Sequence, residues 1–360
     1  MSLTFAEIKL SNLNKNIEYL KNTIGKNVEI LAVVKADAYG HGSVEISKAL
    51  IAKGVNYLAV ASYEEALELK SAGIESKILI LSSITNEEMI ESIKSNISFT
   101  IFDFSQLDFI NSLKEGRIGF HLKIDTGMNR LGISTNEIKE SINIIKNNPA
   151  LLLEGVYTHL PEADVTNSSF TLNQINKFEN MVSLFKESIP DVGFFHIANS
   201  SAVINFVSSH INMVRPGILL YGLSKDAIPN DTSPVMTLKS SLIKIRTISA
   251  GDSVSYGRTF IAEKEMIIGV IPIGYADGLP RSLSNIGYVL HNNKKCKIIG
   301  RVCMDLTMID LTEVINPKIG DEVVLFGENL ITAKDIALLS ETIPYEIICG
   351  ISKRVKRVYI

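Results

Sequence analysis

The sequence predicts an α/β protein in two parts: an N-terminal (β/α)8 TIM-type barrel and a C-terminal mostly-β domain. Short apolar, β-branched runs alternate with segments of helical period across residues 9–230. There are eight such runs, the number that closes a parallel barrel. A doubly wound open sheet shares the local pattern, and the count favours the barrel. After Asn230 the helical rhythm fades, and short strands follow between Gly and Asn/Asp turn signals.

The strand candidates are Val28–Val34, Tyr57–Ala61, Lys77–Leu81, Ser98–Phe102, Gly119–Ile124, Leu153–Tyr157, Gly193–Ile197 and Met213–Leu220. Between them, Asn14–Ile24 sets Ile17, Leu20 and Ile24 on one face, and Ser43–Ala52 does the same with Ile46, Ala49 and Leu50. Tyr63–Ala72, Glu87–Ser95, Phe104–Leu113, Thr135–Lys146, Asn173–Glu187 and Ser200–Val207 complete the helices. The second domain, residues 231–360, reads as strands at Leu238–Ile248, Ser253–Tyr256, Met266–Pro272, Gly287–Leu290, Cys296–Ile299, Leu306–Asp310, Glu322–Phe326 and Arg354–Ile360, with Thr332–Ser340 as its one helix. Ser224–Ser233 reads as the linker. The alternating segment Thr4–Leu10 is a strand for either domain, so residues 1–8 can join the second.

Composition narrows the function. The 360 residues carry 46% hydrophobic side chains and a net charge of −3. That balance leaves no electrostatic footprint for nucleic acid or an anionic membrane. Three cysteines, Cys296, Cys303 and Cys349, lack metal-ligand spacing and suit a reducing compartment. No metal site is expected. The first ten residues lack the basic and apolar blocks of a signal peptide. No apolar run approaches the ~20 residues of a membrane span. A cytoplasmic protein is expected.

A barrel gathers function just past its strand C-termini. There the sequence offers Lys35, Ser82, Asp103, Lys123–Asp125, His159, Asn199–Ser200 and Arg215. Ser82 and Asp103 read as turn residues. Lys35 ends a buried apolar run and precedes Ala36-Asp37-Ala38-Tyr39-Gly40-His41-Gly42. Burial lowers a lysine's pKa and exposes a nucleophilic amine, suited to imine formation with an aldehyde. Strand context alone favours the plainer reading, a lysine snorkelling to solvent.

Eight strings change that balance. They are Ala32–Gly42, His121–Gly132, Tyr157–Leu160, His196–Ser200, Arg215–Ile218, Val254–Gly257, Gly274–Gly278 and Gly300–Asp305. Together they resemble the alanine racemase family, in family order and over nearly the whole chain. The resemblance implies a fold-type-III enzyme with pyridoxal 5′-phosphate bound to Lys35 as a Schiff base. The freed Lys35 amine then serves one face of the substrate Cα, and Tyr256 the other. It implies a homodimer in which the tyrosine comes from the partner subunit. Arg215 matches the arginine facing the pyridine nitrogen, where a permanently charged guanidinium disfavours ring protonation. His159 matches the histidine linking it to the tyrosine. Arg130 matches the arginine near the cofactor phenolic oxygen and substrate carboxylate, and Lys123 a lysine that is often carbamylated. Tyr39, Asn199, Ser200, Gly217, Ile218 and Tyr345 match the cofactor-binding set, largely its phosphate end. Met304 and Asp305 match the substrate-carboxylate wall, and Tyr275 the narrowing of the mouth.

Leu160-Pro161-Glu162-Ala163-Asp164 departs from the family's usual phenylalanine-alanine, and Ser201 follows Ser200 where alanine is usual. The first leaves loop shape and substrate breadth open. The expected activity is interconversion of L- and D-alanine, supplying D-alanine for peptidoglycan. A broad-specificity or serine racemase is the alternative, since a hydroxyl or methylene gives little discrimination. A fold-type-III decarboxylase would need an acid rather than Arg215, and a barrel-only cofactor carrier leaves Tyr256 and Met304 without a role.

Overall fold

The computed structural model describes residues 2–113, 116–223, 231–328 and 330–360. They form two compact units: Ile17–Ala38 with Ser43–Leu220, and Met1–Asn16 with Tyr39–Gly42 and Tyr221–Ile360.

The first unit is the expected closed barrel. Its eight strands are Glu29–Val33, Tyr57–Val60, Lys77–Ile80, Ser98–Ile101, Ile118–Lys123, Leu151–Tyr157, Phe194–Asn199 and Met213–Arg215. Each neighbouring pair is parallel, and Ile30 opposite Val214 closes the circle. Leu31, Ala32, Leu58, Ala59, Phe99, Phe120, Leu122 and Phe195 fill the core because both faces of a parallel strand are covered. Local sequence sets the helix starts. Thr85 and Glu88 form a capping box before Asn86–Lys94. Asp103, read as a turn residue, accepts from Ser105 N–H as the N-cap of Phe104–Ser112.

One irregularity positions polar groups inside the barrel. Phe120 pairs with Leu153 but His121 pairs with Gly155, so Glu154 is the extra residue of a bulge. Gly155 is needed there: a Cβ at that position would sit 2.5 Å from His121 Nδ1.

The second unit holds a six-stranded sheet in the order Lys294–Lys297, Tyr288–His291, Glu322–Phe326, Met236–Ser241, Phe5–Ile8, Lys356–Tyr359. The N-terminal strand runs antiparallel to Met236–Ser241 and parallel to Lys356–Tyr359. A three-stranded sheet of Lys244–Ile248, Met266–Ile271 and Thr307–Asp310 and a hairpin of Ser253–Val254 with Phe260–Ile261 complete the strands. Val254, Ala262, Met266, Ile268 and Ile299 pack beneath that hairpin.

Several expectations need correction. The run Leu238–Ile248 is two strands, because the chain changes sheets at its middle: Leu242 N–H donates to Asp321 and Ile243 N–H to Val270. Met213–Leu220 is strand only to Arg215, and Ile218–Tyr221 is a 3-10 turn. Thr332–Ser340 is not the second unit's only helix. Pro344–Cys349 is another, six residues long with Pro at its start, too short to leave a periodic signal. Residues 224–230 of the expected linker lie outside the described residues. Ser233, at its end, exchanges two backbone hydrogen bonds with the Asn16 side chain.

Candidate active site

Lys35 follows the first barrel strand, as a strand-exit lysine should. The turn that carries it is left-handed. Ala36, Asp37, Ala38 and Tyr39 all have φ between 52° and 55°, and Gly40 has 81°. Each L-residue so placed costs about 1–2 kcal/mol. Two hydrogen bonds between side chain and backbone within the barrel unit stabilise the turn. Ala36 N–H donates to Glu65 Oε1 at 2.7 Å, and Asp37 Oδ1 accepts from Ser43 N–H at 2.8 Å.

Arg215 ends the last barrel strand and is buried. Its Nη1 donates to His196 Nδ1 and His196 O, both at 2.9 Å. Its Nη2 donates to Thr158 O at 2.6 Å and reaches His159 Nδ1 at 3.3 Å. The guanidinium carbon lies 4.9 Å from the Tyr157 ring centroid, and that ring stacks on His196 at 4.7 Å. Tyr157 O–H donates to Thr100, whose own proton goes to Ile80 O.

Because a guanidinium only donates, His196 Nδ1 must be an acceptor. Its Nε2 then carries the proton and donates to His121 Nδ1 at 2.8 Å. His121 therefore bears its proton on Nε2. His121 shares a small cavity of about 20 Å³, room for one water, with Lys77, Ser98 and Glu154. Glu154 accepts from Ser98 and Lys77, which hold its carboxyl below the usual range against the opposing effect of burial. Burial pushes His121 down to about 4. Burial and then Arg215 push His159 and His196 well below the ordinary histidine value. All three imidazoles are neutral near pH 7.

Positive charge is concentrated at this end of the barrel. Lys123 is buried, and its pKa falls to about 8, first through burial, then through Arg215, Arg130 and Lys35; Asp125 opposes them. The same cations act on His159. Arg130 sits in a loop folded back on the strand exit. Ile133 N–H donates to Lys123 O, Asp125 N–H donates to Ile133 O, and a Cβ on Gly132 would lie 2.5 Å from Asp125 N. Ser200 Oγ accepts from Gly217 N–H at 2.9 Å and Leu219 N–H at 3.3 Å, joining two strand exits. That uses the Gly217 N–H within the protein and leaves the Ser200 hydroxyl proton to donate elsewhere. Asn199 caps Ser200–Asn205 through Ala202 N–H and donates to Leu160 O. Ile218 opens the 3-10 turn after Gly217.

In the second unit Tyr39 lies 5.0 Å from Tyr221 and 6.0 Å from Tyr345, ring to ring. Burial raises its phenol pKa. Tyr256 is 73% exposed, Met304 52% and Tyr275 43%. The loops bearing the last two are bonded together: Tyr275 N–H donates to Cys303 O and Ala276 N–H to Met304 O, each at 3.0 Å. Arg354 bridges Asp305 at 2.7 Å and Asp277 at 2.9 Å.

Sequence reasoning missed the roles of His121, His196, Tyr157 and Glu154. A signal was present: His121 and Lys123 recur at period two in a buried strand, as do Gly155 and Tyr157, marking one polar stripe facing the barrel interior.

The alanine racemase N-terminal domain model matches residues 8–225, and the alanine racemase C-terminal domain model matches residues 235–359. The chain belongs to the alanine racemase family. Alanine racemase 2 of Caldanaerobacter subterraneus subsp. tengcongensis is 41% identical over 367 residues, covering 99% of this chain and 95% of that protein. The alanine racemase of Clostridium tetani is 42% identical, with the same coverage of each. Among solved structures, alanine racemase of Clostridium difficile 630 superposes with a TM-score of 0.94 at 37% identity, covering 100% of this chain and 96% of that one. The Bacillus anthracis alanine racemase with bound L-Ala-P gives 0.93 at 36% identity, covering 100% and 95%. Alanine racemases as a family use pyridoxal 5′-phosphate. Among the described residues no cluster of ligands suits a metal ion, and no helix is long and apolar enough to cross a membrane.

Proposed function

We propose that this protein interconverts L- and D-alanine with pyridoxal 5′-phosphate, as a homodimer with shared active sites, and supplies D-alanine for peptidoglycan in the cytoplasm. One observation carries the reading beyond family membership. Arg215, Arg130 and Lys35 act electrostatically on both Lys123 and His159, Lys123 acts on His159 as well, and Asp125 opposes the cations at Lys123. Such a cationic well suits an anionic cofactor and a carboxylate substrate.

The donor set fits the cofactor. Lys35 offers an amine, Arg215 a donor-only group for a ring nitrogen, and Ser200 a hydroxyl proton for a phosphate. Asn199, Gly217 and Ile218 shape that end, and in the other unit we assign the phenols of Tyr39 and Tyr345 to the phosphate. When bound, the cofactor supplies an aldehyde for the amino group and a conjugated ring that acidifies the Cα–H.

Racemisation needs proton transfer on both faces of Cα, since one base alone returns the starting enantiomer. We assign Lys35 Nζ to one face and Tyr256 Oη, from the other protomer, to the second. Arg215, held by His196 and the Thr158 carbonyl, keeps its protons directed and does not give them up. His159 accepts from Arg215 through Nδ1, so its Nε2–H is available to orient a phenolate. Arg130 receives the substrate carboxylate and Lys123, once carbamylated, orients Arg130. Met304 and Asp305 wall the substrate and Tyr275 narrows the mouth. We read residues 9–230 as the cofactor-binding domain and 231–360, with residues 1–8, as the second.

The test is a panel of L-amino acids followed by polarimetry, with borohydride treatment of the loaded protein. Loss of rotation is expected for alanine, and covalent label on the Lys35 peptide. Faster loss with serine would shift the substrate assignment. Label persisting in Lys35→Ala would refute the role of Lys35.

A further inference from the structure

We infer that Ser255 is the positioning residue for Tyr256, holding the phenol's backbone in a conformation it would not keep by itself. The inference rests on the assignment of Tyr256 as a proton-transfer group and adds what fixes its place. Tyr256 is 73% exposed, so its own packing within the unit does little to hold it. The backbone on either side is unusual. Ser255 has φ 67° and ψ −176°, a region that is nearly glycine-only, and Gly257 and Arg258 have φ 71° and 49°. A side chain persists there only if its surroundings over-determine it.

They do so through Ser255 itself. Its Oγ donates to Arg301 O at 2.7 Å. With that proton committed, the same oxygen can accept from the Cys303 thiol, 3.4 Å away. The facing segment is shaped to admit it. A Cβ on Gly300 would lie 2.7 Å from Ser255 Cβ and 2.7 Å from Val254 O. Beyond Tyr256, the bare Cα of Gly257 accepts the Arg301 guanidinium, which a Cβ would meet at 3.3 Å. The tyrosine is thus clamped on both sides to residues 300–303, the segment that runs directly into Met304. One scaffold sets the phenol and the proposed substrate wall together, and Ser255 is its tether.

The test compares Ser255→Ala, which keeps the strained Cβ and loses the tether, with Ser255→Gly, which loses both. Solvent washout of α-deuterium is measured from each alanine enantiomer in the holoenzyme, beside Tyr256→Phe as reference. Amide hydrogen exchange is measured along the whole chain without cofactor, with residues 254–258 and 300–303 as the segments of interest. Ser255→Ala should slow washout from one enantiomer about tenfold, the same enantiomer that Tyr256→Phe affects, with faster exchange confined to 254–258 and 300–303. Ser255→Gly should lose less than Ser255→Ala. A merely structural serine would lower both enantiomers equally and rank glycine worse, and that result overturns the inference. Should Ser255→Ala not fold, one-sided or equal loss in Ser255→Gly decides the matter. If Tyr256→Phe itself gives equal losses, the assignment of Tyr256 fails and the inference with it; asymmetry there without asymmetry in the serine variants sinks the inference alone.

Discussion

Arg215 Nη1 donates to His196 Nδ1 at 2.9 Å, and this one bond fixes the position of the proton on both His196 and His121. Since arginine cannot accept, His196 must donate onward to His121, and His121 must present Nε2–H to the cavity shared with Glu154. The chain runs from the candidate catalytic end of the barrel to its floor without a mobile charge.

Gly155→Ala tests that chain sterically. The new Cβ would stand 2.5 Å from His121 Nδ1 on a buried strand, so the ring or the strand must shift, which is expected to disturb the bond to His196. A stability loss of about 1–3 kcal/mol is expected by urea denaturation. Nitrogen NMR should report Nε2–H tautomers for His121 and His196 in the parent and a changed His196 signal in the variant. An unchanged His196 signal would sever the proposed dependence.

Acid should weaken the fold early. The folded pKa of His121 is about 4, and those of His159 and His196 are also depressed, against about 6.5 when unfolded. The unfolded chain therefore binds protons first. The contribution of these groups is complete above pH 6.5 and is lost as pH falls from there toward their folded values. Each group adds up to about 1.4 kcal/mol per pH unit within that window. Urea midpoints at pH 7, 6 and 5 should fall progressively, before most carboxylates titrate. A flat profile over that range would contradict neutral burial.

Lys123 should react with carbon dioxide. Burial and neighbouring cations bring its amine to about 8, so a substantial neutral fraction exists at mild pH. Carbamylation needs that neutral form and converts a cation among cations into an anion. Carbon-13 bicarbonate at pH 8 should give one carbamate resonance, absent in Lys123→Ala and weaker as pH falls. Persistence of the signal in Lys123→Ala would assign it elsewhere.

The left-handed turn reverses an ordinary substitution rule. Alanine to glycine in a right-handed helix costs about 1 kcal/mol, as expected for Ala49→Gly in Ser43–Ala52. Ala36 is exposed at φ 52°. Ala36→Gly removes its steric penalty and should gain about 0.5 kcal/mol net of glycine's entropy. Thermal midpoints of the two variants should move in opposite directions. A loss of similar size in both would mean the turn is not left-handed in solution.

Subunit mixing tests the shared site. Lys35→Ala and Tyr256→Phe proteins are each expected to be nearly inactive. A heterodimer of the two carries one site with both groups intact, so activity should return toward about half of the parent value per heterodimer. No recovery despite subunit exchange, followed by native mass spectrometry, would place both groups in one chain.

The barrel was legible because its signals are local. Eight apolar runs and the intervening helical periods lie within short windows of sequence. The second unit was less so. Nothing inside Leu238–Ile248 marks the change of sheets at Leu242 and Ile243, because the partners Asp321 and Val270 are distant in sequence. Pro344–Cys349 lacks the length for a period.

The sequence by itself determined the alternation of strand and helix, the family, and the presence of Lys35, Arg215 and Tyr256 in recognisable strings. Those are properties of residue type and near spacing. Tertiary structure decided the rest. The bulge at Glu154 sets His121 opposite Gly155, which lets it reach His196. The turn after Lys35 is left-handed because Glu65 and Ser43 bind its backbone and side chain. Ser255 adopts a backbone suited to glycine because Arg301 and Gly300 hold it there. Ser43 lies only six residues from Asp37, but Glu65, His196 and Arg301 lie far along the chain from the groups they bind, and only strand register and loop packing bring their atoms within hydrogen-bonding distance.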